Sequence, residues 1–144
     1  MHSLPRLLVA VALLASVAVS TRAQCAPIPG TGCPGQTAPT CATPPQIGTT
    51  FTWHAAPCLT AVPPLLMFGT VLTPPVQIWP PIVCTNTPCD LGCQPLLVVQ
   101  TSFMSIPIPN LRSLVGATFC IQSACVDLRV PCFTLSQASS VTIQ

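Results

Sequence analysis

Thr49-Thr50-Phe51-Thr52-Trp53-His54 (TTFTWH) is the stretch on which the fold turns. Threonine alternates with Phe51 and Trp53, so on an extended chain both rings point to one face. Threonine and aromatic residues suit a pleated, half-buried surface. The stretch reads as a β-strand with one wet side and one core side.

Working outward, strand signals keep alternating with turn signals. Leu65 to Leu72 holds apolar and β-branched residues between Pro64 and Pro74. Val76 to Trp79 is a short candidate whose flanking prolines suit an edge. Pro95 to Ile106 contains Leu96–Val99 and then Thr101, Phe103 and Ser105. Leu114 to Ser123, Val126 to Thr134 and Ser140 to Ile143 complete the set. No window of ten or more residues combines helical periodicity with freedom from proline; the best helical candidate is a single turn at Asn110 to Val115, with Asn110 as its cap. Short strands with frequent turns predict an all-β chain, a small antiparallel β-sandwich or barrel-like domain. The expected core is Phe51, Trp53, Leu66, Phe68, Val71, Leu97, Val99, Phe103, Leu114, Phe119, Ile121, Leu135 and Val141.

Upstream, residues 1–23 read as a secretory signal. Arg6 is followed by a 13-residue run, Leu7 to Val19, dominated by alanine, valine and leucine. Thr21 and Ala23 supply small residues before a cut at Gln24. The run is short of the roughly 18–20 residues that cross a bilayer. The segment before Cys25 does not make a lipobox. The later apolar stretch Val62 to Val83 contains Pro63, Pro64, Pro74, Pro75, Pro80 and Pro81, so it does not suit a membrane helix. The expected organisation is a signal peptide at 1–23, a Pro/Gly/Cys-rich arm at 24–46 and a β domain at 47–144. The mature chain is then soluble or surface-attached and without a membrane span.

Charge excludes several function classes. The mature chain carries Asp90, Arg112, Asp127 and Arg129, with no lysine or glutamate. The formal +2 of the whole chain comes from Arg6 and Arg22, so the mature side chains balance. Two arginines matched by two aspartates form no basic groove for nucleic acid and no polybasic patch for anionic lipid. A surface so poor in charge resists self-association weakly, which points toward a wall, matrix or interface location.

All ten cysteines follow the expected cut: Cys25, Cys33, Cys41, Cys58, Cys84, Cys89, Cys93, Cys120, Cys125 and Cys132. An even count in an exported chain reads as a disulfide framework of five bridges, each stabilising by about 2–4 kcal/mol. No CxxC pair occurs, which argues against a structural zinc site and a redox centre alike. The residues between Cys84 and Cys93, including Asn86, Pro88 and Gly92, are turn formers. They suggest a loop that brings two of its three cysteines together.

Chemistry-bearing residues are sparse. Asp90 and Asp127 lie far apart in sequence, and neither has an acidic context for paired-carboxylate catalysis. His54 is the one mature histidine and no GxSxG elbow exists, so a Ser-His-Asp triad has no motif behind it. Asp127 and Arg129, two apart, would share a face of a strand as a surface pair worth about 0–1 kcal/mol. Gln122, amid apolar neighbours, either bonds backbone across the sheet or faces solvent. Binding rests on aromatics: Trp53 and Trp79 can stack on sugar rings, Trp79 together with the polar loop near Asn86, unless Trp53 is core and Trp79, between Ile78 and Pro80, is a packed edge residue.

The order of short motifs adds a resemblance. Gly30-Thr31-Gly32-Cys33-Pro34-Gly35 opens the domain, and Pro45-Gln46-Ile47-Gly48 precedes the first strand. Ile106-Pro107-Ile108-Pro109-Asn110 leads into Leu114-Val115-Gly116-Ala117-Thr118-Phe119, followed by Gln122, Leu135-Ser136 and Val141-Thr142-Ile143. Over most of residues 30–144 this resembles a small β-domain recurrent in exported proteins of planctomycete-type bacteria. The resemblance implies a compact β module and carries over no catalytic residue. The chain departs from that pattern in its cysteine number, with Cys120 where an aromatic residue is common.

The expectation is a non-enzymatic exported structural or adhesive β module at the cell surface or matrix. Its candidate partners are cell-wall polysaccharide or other exported proteins, and no cofactor or metal is expected. The alternatives are a small carbohydrate-binding module using Trp79 and Asn86, and a surface-active coat protein. The last lacks the adjacent cysteine pairs of hydrophobins.

Overall fold

The computed structural model describes residues 25–144; the expected signal segment lies outside the described residues. Nine strands and one short 3-10 turn run in the order β1 (Cys25–Pro27), β2 (Thr40–Cys41), β3 (Thr50–His54), β4 (Leu65–Ile78), β5 (Cys89–Gln100), β6 (Phe103–Pro107), the 3-10 turn (Arg112–Leu114), β7 (Thr118–Asp127), β8 (Cys132–Leu135) and β9 (Ser139–Thr142). They form an antiparallel β-sandwich stapled by five disulfides. The larger sheet has the order β1-β9-β7-β4-β5, with β8 also paired to β7. The smaller sheet is β2-β3-β6.

The alternation in TTFTWH sets the sandwich. Phe51 and Trp53 are fully buried, while Thr50 and His54 at the strand ends are exposed. The two rings stack with centroids 5.1 Å apart. From the larger sheet, Leu66, Phe119, Ile121 and Val141 meet them, with Phe68 packed at the edge of the cluster. Phe51 meets Phe119 edge-on at 5.6 Å. Complete burial of side chains such as Leu66 and Ile121 stabilises by about 1.5–3 kcal/mol each.

The arm is extended, as its prolines require, and it completes both sheets. β1 pairs with β9, and β2 pairs with β3. The Cys25–Cys41 bridge then ties the outer strand of one sheet to the outer strand of the other.

Several local expectations differ from the structure. β4 is one bent strand that absorbs the Val76–Ile78 part of the separate Val76–Trp79 candidate, with its register to β5 shifting between Val71 and Val76 and Trp79 left just beyond its end. The expected strand from Pro95 to Ile106 is two strands, because Thr101 and Ser102 carry the chain from one sheet to the other. Asn110 does not cap the 3-10 turn; Leu111 occupies that position and makes no side-chain cap bond.

Leu97 and Phe103 are not core residues: they are 46% and 55% exposed. Both lie on outermost strands, where one flank of the side chain has no neighbour to cover it. Val71, Val99 and Leu114 are half-buried: Val71 lies beyond the point where β4 stops pairing with β7, Val99 lies on the outermost strand β5, and Leu114 ends the 3-10 turn.

The loop reading of Cys84 to Cys93 is overturned. All three cysteines bond outside that segment, in Cys84–Cys132, Cys33–Cys89 and Cys93–Cys120. A turn does form, with Thr85 Oγ1 donating to the Thr87 carbonyl at 2.6 Å. β5 starts immediately afterward, however, and pairs Cys89 with Ile78. Four residues of extended chain span about 13 Å, too far for Cys89 to reach Cys93.

Candidate functional site

The outer face of the larger sheet carries the densest polar construction in the molecule. Gln122 projects from β7 and is fully buried. Gly92 and Cys93 donate their backbone N–H groups to its Oε1 at 3.0 and 3.3 Å. Its Nε2 donates to the carbonyls of Ser136 at 2.8 Å and Asp90 at 3.4 Å. One amide thus satisfies the bent start of β5 and the link between β8 and β9. The bonds across the sheet follow the buried alternative, and the residue is structural.

The Gly30–Gly35 segment closes over this region. Gly32 exchanges backbone bonds with Asp90, at 2.7 and 3.1 Å. Thr31 is buried; its Oγ1 donates to the Ile28 carbonyl at 2.6 Å and accepts the Ala138 N–H at 2.9 Å. Gly32 has φ +81°, and a Cβ there would sit 2.5 Å from the Ser136 carbonyl oxygen. Only glycine fits, since both the left-handed backbone and the close approach exclude a side chain. Gly116 also adopts a left-handed φ, +86°, but open space surrounds it, so it is a turn residue and not a point of close approach.

The ionisable residues are dispersed. His54 ends β3, its ring 6.1 Å from Phe103 on the smaller sheet. Asp90 lies within β5 and Asp127 ends β7. Asp127 and Arg129 do not share a strand face. The chain turns after β7, and the Asp127 carboxylate accepts the Arg129 backbone N–H at 2.9 Å. Among the described residues, no three of His, Cys, Asp and Glu gather in a group able to hold a metal ion. Every described cysteine is bridged.

Trp79 and Asn86 both lie in the connection between β4 and β5. Trp79 is 60% exposed, at the start of a turn closed by Ile82 N–H donating to the Trp79 carbonyl at 3.2 Å. The Pro80–Pro81 bond inside that turn is cis. Pro80, Pro81, Asn86, Asp127 and Val130 are among the residues that line a shallow depression of about 340 Å³. Trp79 precedes Pro80 in sequence but is not among the residues that line this mainly apolar hollow. By contrast, Trp53 lies wholly inside the core.

Sequence reasoning missed the feature that most distinguishes the surface. Leu96, Leu97 and Val98 in β5 are 71%, 46% and 48% exposed. β5 is the last strand of its sheet; β4 is the one strand it pairs with, and Gly32 bridges it only at Asp90. The signal was present as the apolar run Leu96–Val99, but without the strand order it reads as buried.

None of the described helices is long and apolar enough to cross a membrane. Five disulfides fit an oxidising environment. Comparison with protein-family models, curated proteins and solved structures finds no match.

Proposed function

We propose that this chain is a non-enzymatic structural or adhesive β module, exported by its N-terminal segment and working at the cell surface or in the surrounding matrix. The observation that carries the reading is the placement of the bridges. Cys25–Cys41 joins the two sheets, Cys33–Cys89 ties the N-terminal arm to β5, and Cys58–Cys125 ties the β3–β4 connection to β7. Cys84–Cys132 and Cys93–Cys120 hold both ends of the bent β5 region against β8 and β7. Such a frame keeps one outline where no cell machinery refolds it. The buried polar side chains Gln122, Thr31 and Ser136 are engaged with backbone groups. Recognition then falls to an outer surface of threonine, proline and scattered aliphatic residues.

Fractionation of producing cells tests this. The expected result is a wall- or matrix-associated chain starting at Gln24, ten hydrogens lighter than its reduced form, whose deletion weakens attachment or wall integrity. A cytoplasmic chain with free thiols, or a purified chain that turns over a substrate in a hydrolase panel, would overturn the reading.

The position of Trp79 favours a second reading, a small carbohydrate-binding module. The exposed indole of Trp79 offers a stacking face, and Asn86 in the same β4–β5 connection offers an amide for sugar hydroxyls. Titration with wall polysaccharides should shift tryptophan emission in the native chain and not in Trp79→Ala. An unresponsive native chain across a broad glycan panel removes this reading.

A further inference from the structure

We infer that the free edge of β5 is a dimerisation edge, and that its occupant is β5 of a second copy of this chain, antiparallel across a two-fold axis near Val98. The sandwich has one closed side and one open side. On the closed side, β1 and β2 are the outer strands of their sheets and are joined by Cys25–Cys41. On the open side, β5 and β6 are outermost, joined by Thr101 and Ser102. The exposed residues Leu96, Leu97 and Val98 lie there.

Backbone parity shows which groups the edge offers. In an antiparallel pair, hydrogen-bonded and non-bonded residue pairs alternate. Thr101 donates its N–H to the Pro64 carbonyl at 2.9 Å, continuing the ladder of β5 on β4. Two and four residues back, Val99 faces Leu66 and Leu97 faces Phe68, so these are bonded pairs too. The far side of β4 agrees. Ser123, opposite Leu66, turns its backbone away from β4 and bonds Ser136, at 2.9 and 2.8 Å. The N–H and C=O groups of Val98 and Gln100 therefore point away from β4.

Nothing in this segment guards the edge. Residues 96–100 contain no charge and no proline, and natural sheets use such residues to block unwanted pairing. The mature side chains balance to zero, so a second copy meets no net repulsion. The edge is also self-complementary. With Val98 opposite Val98 of the second copy, Leu97 falls opposite Val99 on the core face, and Leu96 falls opposite Gln100. The larger sheet then runs continuously through both copies, and the exposed flank of Leu97 is covered. Leu96 and Val98 on the outer face and Leu97 on the core face are 71%, 48% and 46% exposed, so pairing would cover apolar surface on both faces of the strand. An edge this short gives a reversible dimer, toward the small end of specific interfaces. The inference does not depend on what the module adheres to.

Sedimentation velocity on the oxidised mature chain tests it. The expected result is a monomer–dimer equilibrium that tightens with concentration. Val98→Pro, which removes an outward N–H, and Leu97→Asp should each weaken it at least tenfold. Leu128→Asp, in the turn after β7, should leave it unchanged. Hydrogen exchange on the unaltered chain gives a second measurement: the Val98 and Gln100 amides should gain protection as concentration rises, while Val99 stays protected throughout. A chain monomeric at every attainable concentration would overturn the inference and leave the edge to a different protein. So would a dimer indifferent to both β5 substitutions, one equally lost in Leu128→Asp, or Val98 and Gln100 amides unprotected in the dimer.

Discussion

Gln122 and Gly92 lie 30 residues apart in sequence, yet the Gly92 backbone N–H rests 3.0 Å from Gln122 Oε1 in a site closed to solvent. The amide is a buried crosspiece between β7 and the bent start of β5. Replacing it by leucine keeps the bulk and leaves the Gly92 and Cys93 N–H groups and the Ser136 carbonyl without this partner. Each unmet group costs about 1–3 kcal/mol. Gln122→Leu should therefore lower unfolding free energy in urea by about 3 kcal/mol or more. A loss within experimental error would mean that water takes over the role.

Gly32 and Gly30 make a matched pair. Both have positive φ, +81° and +72°, but only at Gly32 does an added Cβ meet backbone. Gly30→Ala should cost about 1 kcal/mol, the ordinary penalty of a left-handed backbone. Gly32→Ala carries that penalty plus the displacement of Ser136 and Gln137, and should cost about 3 kcal/mol. Equal melting shifts for the two variants would contradict the close approach.

Reduction under native conditions should open the bridges in order of shielding. Cys84 is exposed, and Cys58 and Cys125 are half-buried. Cys33, Cys89, Cys93 and Cys120 are each no more than 4% exposed. A thiolate must reach a sulfur to exchange with it. Timed alkylation and peptide mapping should find Cys58–Cys125 and Cys84–Cys132 labelled before Cys33–Cys89 and Cys93–Cys120. Early labelling of Cys93 would show that the β5 region opens on its own.

The two tryptophans differ enough to be told apart by collision. Trp53 is 0% and Trp79 60% exposed. Acrylamide should quench one emitting population strongly and the other weakly. Trp79→Ala should abolish the accessible population and leave the melting temperature nearly unchanged. Strong quenching that survives in Trp79→Ala would place Trp53 nearer solvent than the structure does.

What the sequence revealed, it revealed through short-range regularity. The parity of Phe51 and Trp53 gives a strand and its buried face, because side-chain direction on a strand follows from spacing alone. The framework of ten paired cysteines was likewise legible from their number and the expected signal segment. Partner choice was not. Cys84, Cys89 and Cys93 sit among turn formers, yet their partners are fixed by β5 joining the sheet beside β4. Strand order also decides that Leu97 stands at a margin while Leu66 stands at the centre, though the two are equally apolar. Residue type points to Trp79 and Asn86, but only Asn86 lines the hollow beside the Pro80–Pro81 turn, and which side chains line it depends on the fold of the β4–β5 connection.

The Cys25–Cys41 staple has a consequence for the size of any assembly. It lies on the margin formed by β1 and β2, and β1 is three residues long and ends at Pro27. Proline brings no N–H to an incoming strand, and so short a strand offers little ladder to extend. A body with one receptive margin and one sealed margin can count to two and no further. Pairing through β5 uses up the receptive margin of both partners, so growth ends in a closed pair instead of running on as a fibre.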